Sequence, residues 1–334
     1  MVVRAALALL ALSFVVAACA TDTPQTGPQP LRAAPEPARA AAPKNPPAGR
    51  VVSFGGGRPE GMIADPVSGL VLVGLRSPDR VALIDPTTGS VRTSLVYGSA
   101  RHLELVPGGG AVIVPGEDSD LLSTYDLPTM QVRSVVKVRR QPHDVAVTAD
   151  GTLYAADEFG GSVSVVRFGR VVKTFNGLLQ PGGAAGNGDV GAVVDVRSRF
   201  THFYRGDSEV ARLFSGDGPT HALALGKDGI LVTDTTGGRL YRYSTDGTPK
   251  QVEVLDLPGR PYGTAYDAKR GRVFITATER NELVQLSLTP AGLKVVRTYP
   301  TVRDAYSVAV DSKTGRVFMS SEIDSTLQIV DPMP

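Results

Sequence analysis

The 334-residue chain is long enough for one large domain or two ordinary ones. It holds 37 Gly and 25 Pro, no Trp and only 6% aromatic residues, a mix that suits many short strands joined by tight turns better than helices. A formal net charge of +2, spread without a basic field or a block of like charge, speaks against a nucleic-acid partner and against a charged interaction tail.

The first element in chain order is an address. Arg4 precedes an apolar stretch from Ala5 to Val16 and the small residues Ala17 and Ala18. That order predicts an export signal over residues 1–18, too short to span a bilayer as an uncut anchor. Beyond residue 18 no apolar run approaches the ~20 residues of a membrane span. The sole cysteine, Cys19, rules out a disulfide within the chain. Val16-Ala17-Ala18-Cys19 resembles the bacterial lipobox. The resemblance implies lipidation of Cys19 with diacylglycerol and further acylation, cleavage before it, and two or three acyl chains holding the protein to the extracytoplasmic face of a cell membrane. Residues 19–49 then read as a lipid-anchored linker. Their Pro/Ala-rich composition lacks apolar periodicity and predicts an extended, mostly disordered tether.

From residue 50 to the end the sequence repeats. The segment 141–166, QPHDVAVTADGTLYAADEFGGSVSVV, returns in weaker forms. Unit starts fall at Arg58-Pro59, Ser99-Ala100, Gln141-Pro142, Gln180-Pro181, Gly218-Pro219, Arg260-Pro261 and Arg303-Asp304, at steps of 38 to 43 residues. Each unit parses into four strands. The first is small-residue rich (Val145–Val147, Ala222–Ala224, Val308–Val310) and leads into an Asp/Gly turn. The second is apolar on both faces, as at Ile230–Val232 and Val273–Ile275. The third is represented by Val81–Ile84 and Val163–Val166, and the fourth alternates, as at Val91–Leu95 and Val171–Phe175. The fourth unit is eroded, and its run Gly182 to Gly188 reads as a weakened first strand and turn rather than a phosphate loop, since it opens no helix. The seventh unit stops at Asp331-Pro332 without its fourth strand, and Arg50–Phe54 reads as that missing strand, so the two ends should pair and close a ring.

A ~40-residue period with four strands per unit predicts an all-β, seven-bladed β-propeller over residues 50–334, closed by its N-terminal strand. The xPxxVAVxxDGxLYxAD pattern of the third unit resembles YVTN/YncE-type and NHL-type propeller repeats of bacteria. Such repeats bear on fold and not on function, because propellers host many activities.

Binding in propellers favours the face lined by the loops entering each first strand and leaving each second strand. Aligning the units puts Asp157, Asp195 and Asp234 at one loop position and Arg76, Glu117, Glu158 and Glu322 at the next. Glu60, Arg101, His143 and Tyr262 share a third position, and His102, Asp144, His221 and Tyr306 a fourth. The candidate ligand-binding set is Arg101, His102, Glu117, His143, Asp157, Glu158, His221, Asp234, Arg260, Tyr262, Tyr306 and Glu322. Read functionally, this is a polar funnel for an anionic or mixed-charge ligand, or a site for one divalent metal on His102, His143 or His221 with nearby carboxylates. Read structurally, the repeated Asp caps backbone amides, and His202 in a third strand belongs to the core. No HExxH, GxSxG or P-loop pattern is present.

The preferred expectation is therefore a monomeric binding or scaffold module in the cell envelope, without a cofactor and without a nucleic-acid partner, taking a protein, a glycan or a small ligand. The alternative is a metal-dependent hydrolase, lactonase or lyase at the channel mouth. A quinone-dependent redox enzyme ranks third, because absent Trp and scarce aromatics leave no stacking platform.

Overall fold

A computed structural model describes residues 33–333; the predicted export signal, Cys19 and residues 20–32 lie outside that range. The described residues form seven four-stranded antiparallel sheets. Six run in simple chain order, from Arg58–Ala64 through Val91–Leu95 in blade 1 to Pro261–Asp267 through Gly292–Pro300 in blade 6. The seventh takes Ala305–Val310, Val317–Ser321 and Thr326–Val330 from the end of the chain and Arg50–Ser53 from its beginning. Val51 pairs with Gln328 and Val52 with Leu327, so the ring closes as the unpaired ends of the sequence predict.

The second strand of each blade explains how the ring is held. Successive side chains on a strand point to opposite faces, and here both faces are covered by a neighbouring blade. Val71 and Val73 pack toward blade 7 with Phe318 and Leu327, whereas Leu72 packs toward blade 2 with Val112 and Tyr125. The same division repeats around the ring, giving one apolar cluster at each of the seven blade–blade interfaces. This is why those strands read as unbroken apolar runs.

The eroded fourth blade is a full member, with Pro181–Asn187 as its first strand. Its glycines answer to close approach. A Cβ at Gly186 would lie 1.9 Å from the Val147 carbonyl of blade 3, and one at Gly183 would lie 2.4 Å from the Thr220 carbonyl of blade 5. The Asp residues of the hairpins act as turn acceptors: Asp65 takes the amides of Ser68 and Gly110, and Asp311 that of Lys313. His202 sits on the buried third strand of blade 4, against Glu209 at 3.1 Å.

Residues 33–49 carry no helix or strand. Composition predicts an extended, mostly disordered tether over residues 19–49; its described part is extended but hydrogen-bonded to the ring, crossing its face over blades 5 to 7 before entering the closing strand. No described helix is long and apolar enough to cross a membrane.

Candidate functional site

The inner strands converge on the central channel, and each meets its partner out of register at the same place. The register shift falls between Pro59 and Met62, Pro142 and Asp144, Pro219 and Ala222, Pro261 and Thr264, and Ala305 and Ser307. A bulge leaves the extra residue unpaired and re-aims its side chain. Inside these bulges lie Glu60 with Gly61, His143, Thr220 with His221, Tyr262 with Gly263, and Tyr306. In blade 2 the strand breaks outright at this point, leaving the Ala100–Gly116 bridge, then Glu104–Leu105, with Arg101 and His102 between. The side chains that line the channel mouth are thus supplied by a recurring irregularity of the innermost strand.

These groups surround a cavity of about 560 Å³ at one mouth of the channel. Three of the chain's four histidines meet there. The His102 ring centroid lies 4.9 Å from His143 and 5.2 Å from His221, and Tyr262 stands edge-on to His221 at 4.3 Å. Tyr306 follows Tyr262 at 6.0 Å. His143 is the centre of the polar network. Its Nδ1 lies 3.1 Å from Glu117 Oε1 and 3.0 Å from Glu158 Oε2, while the other Glu158 oxygen accepts from Gln180 Nε2 at 2.6 Å. Glu117 is also paired with Arg76 and with Arg101, the latter at 3.4 Å, and both arginines reach Glu60. Across the mouth, Glu322 accepts from Arg58 Nε at 2.6 Å and faces Arg39 at 3.7 Å.

Burial opposes charge on His143, but its hydrogen bonds to Glu117 and Glu158 outweigh that cost and push it up to about 9. Burial likewise opposes the Glu158 carboxylate, yet the bond to His143 and that ring's charge bring it down to about 2. The two form a buried ion pair. His221 goes the other way: burial, then the charges of His143 and Arg101, push it down to about 3, and its Nδ1 has no hydrogen-bond partner. His102 is lowered well below the ordinary imidazole value by burial and by the same neighbours. One cationic and two neutral imidazoles therefore share the mouth at neutral pH.

The other candidates fall into two groups. Glu117 and Glu158 contact His143, which lines the cavity, but do not line it themselves; Asp157 and Asp234 are fully buried and do not line it either. Asp157 accepts from Ser162 and Ser164 at 2.9 and 2.7 Å, and Asp234 from the amides of Asp217, Gly218 and Gly237. They hold the loops, as the structural reading of that register position has it. Arg260 also lies away from the cavity, in left-handed backbone at φ 58°, with its carbonyl accepting from Thr278.

Sequence reasoning passed over Glu104, Gln180 and the strap residues Glu36 and Arg39, all of which except Gln180 line the cavity. Glu104 had a signal: it stands two residues after His102, so on a strand it faces the same side. Burial, with the Asp144 carboxylate adding, pushes Glu104 up to about 8. Since that value lies above the ~4.3 of an unfolded glutamate, its proton favours the folded state. The contribution is complete below about pH 4.3 and is lost as pH climbs through about 8. Glu104→Gln has no proton to lose. Its melting temperature is expected to match the parent at pH 5 and to exceed it at pH 9; parallel melting curves across that range would remove Glu104 from the account.

No family model matches the chain, and no curated protein matches it in sequence. Solved structures match in shape. Hydrazine synthase of Kuenenia stuttgartiensis superposes with a TM-score of 0.70 at 17% identity, over 84% of this chain and 97% of that one. Streptogramin B lyase gives 0.71 at 10% identity over 84% and 97%. Virginiamycin B lyase from Staphylococcus aureus gives 0.68 at 11% over 84% and 98%. At these identities the likeness concerns the propeller fold alone.

Proposed function

We propose that the chain is an extracytoplasmic, metal-assisted hydrolase or lyase working at the mouth of its propeller channel. The observation that carries this reading is the cluster of Glu117, His143 and Glu158, which offer one ligand atom each within 4.8 Å of one another. A metal would have to replace the proton that His143 Nδ1 shares with Glu117 and Glu158 at 3.1 and 3.0 Å, so its binding would release a proton. Imidazole with carboxylates suits a single divalent transition metal, and such an ion, when bound, would polarise a carbonyl oxygen or acidify a water. The chain's own groups supply the rest. Gln180 holds Glu158, and Arg76 and Arg101 hold Glu117, fixing the ligands from behind. His102 and His221 stay neutral in the cavity that His143 lines, and each can donate or accept a hydrogen bond to a substrate there. Two fold neighbours are themselves described as lyases, which supports such chemistry on this scaffold without carrying their substrates over.

The setting we infer from the sequence is that of a chain exported and anchored through Cys19, with repeats that resemble the YVTN/YncE and NHL kinds. A second reading, a binding module for a small ligand or an envelope partner, is favoured by one observation. Arg76 and Arg101 already neutralise Glu117, so the cluster is satisfied without an added cation.

Metal binding separates the two. The purified protein is expected to carry close to one equivalent of a divalent metal by elemental analysis, and to melt lower after EDTA. At a hundredfold excess of metal over Kd the stabilisation is ~2.7 kcal/mol, on the order of 5 °C for a chain of this size. No stoichiometric metal, together with no shift on adding zinc or manganese, would leave the binding module as the better account.

A further inference from the structure

Residues 34–41, Ala-Pro-Glu-Pro-Ala-Arg-Ala-Ala, lie extended across the face that carries the cavity. Ala34 packs on the apolar cluster between blades 4 and 5. Pro35 covers Gly218, where a Cβ would come within 3.0 Å of its ring. Beyond it the ring reads the segment through its backbone. The Ala38 amide donates to Thr278 Oγ1 at 3.0 Å and the Ala40 amide to Asp304 Oδ1 at 2.9 Å. The Ala41 carbonyl accepts from Asn281 Nδ2 at 2.9 Å and the Ala40 carbonyl from Arg303 Nε at 3.2 Å. Asp304 is itself fully buried and steadied by the Asn281 side chain, which accepts from its amide at 3.3 Å. Amides two residues apart, met by two fixed acceptors, are what an extended strand or polyproline-like peptide presents.

We propose that the face over blades 5 to 7 is a groove for an extended peptide, and that residues 34–41 are its resident, displaceable occupant, closing the channel mouth. Three features support a removable occupant rather than a permanent part of the fold. The segment's own side chains are small or exposed, with Ala40 alone among 34–41 buried. The hydrogen bonds contribute little each once water is counted, against the entropy of ordering a Pro/Ala-rich chain. Glu36, Pro37 and Arg39 form part of the cavity wall, so lifting the segment opens the site. Tethering supplies the segment at an effective concentration in the millimolar range, which keeps a weak peptide in place until a better one competes. The inference stands whether or not the histidine cluster takes a metal.

The probe is a synthetic peptide of residues 33–42 bearing a fluorophore, titrated into the full chain and into a variant lacking residues 20–42. The groove predicts binding to the shortened chain with Kd below about 0.1 mM, and at least tenfold weaker binding to the full chain, whose groove is filled at millimolar effective concentration. Methylating the peptide nitrogen of Ala40, which deletes the donor to Asp304, should weaken binding at least tenfold. Equal affinity for the two proteins, no binding to a folded shortened chain, or indifference to the methyl group each overturns the proposal. A second variant covers a failure of the shortened chain to fold. In the full chain, Ala40→Pro removes the same donor and should speed diethylpyrocarbonate modification of His221 several-fold, with His202 in the blade 4 core unchanged. An unchanged His221 rate means that the segment does not close the mouth.

Discussion

A chain that begins at Gly57 is expected to melt more than about 10 °C below the parent and to aggregate, whereas one that begins at Pro43 keeps a cooperative transition. The difference lies in Arg50–Phe54. Arg50–Ser53 pairs residue for residue with Thr326–Ile329, and Phe54, the next residue, enters the interface between blades 7 and 1, where it is 3% exposed beside Leu75, Leu327 and Ile329. Truncating a buried Phe to Ala alone costs ~3–5 kcal/mol, and each kcal/mol moves the melting temperature of a chain this large by ~2 °C or somewhat more. Losing the strand also strips the outer edge of Thr326–Val330, leaving a row of unpaired amides open to another chain. Phe54→Ala is the milder test, since it keeps the ladder and removes only the packing. If the Gly57 chain and the parent melt together, the two ends of the sequence are not what closes the ring.

That closure could be read from sequence because it is written in repeat length and turn chemistry. A unit that ends one strand short, and a strand with no unit before it, point to each other. The double-sided apolar runs were legible for the same reason: a strand such as Val71–Leu75 has a neighbouring blade on either side, and both sets of side chains must be apolar. The site was legible only by register. Alignment brought His102, His143 and His221 to one mouth, but it could not tell which residues at a shared position turn inward. Asp157 and Asp234 occupy the same loop position as polar candidates and are consumed by hydroxyls and loop amides. The bulge that turns His143 and Tyr262 toward the channel has no sequence signature of its own beyond the Pro that precedes it. The segment 34–41 was the least legible. Its contacts use backbone amides on one side and residues some 240 to 264 positions later on the other, and a Pro/Ala-rich composition records neither.

His143→Ala is expected to cost the metal-free protein ~3–5 kcal/mol, because it removes one partner of a buried pair and leaves the other charged. Glu158 is the group left behind. Its side chain is 7% exposed and retains only Gln180 as a direct partner once the imidazole is gone. Glu117 suffers less, since Arg76 and Arg101 stay beside it. The asymmetry gives the test its force. In a double-mutant cycle, Glu158→Gln in the His143→Ala background should recover most of the loss, because a neutral amide needs no cation, whereas Glu117→Gln should recover little and release two arginines from their carboxylate. The expected coupling between positions 143 and 158 is on the order of 1–3 kcal/mol, within the range for residues sharing one network. Additive effects at 143 and 158 would mean that the imidazole does not hold Glu158, and the arrangement that brings three ligand atoms together would lose its central member.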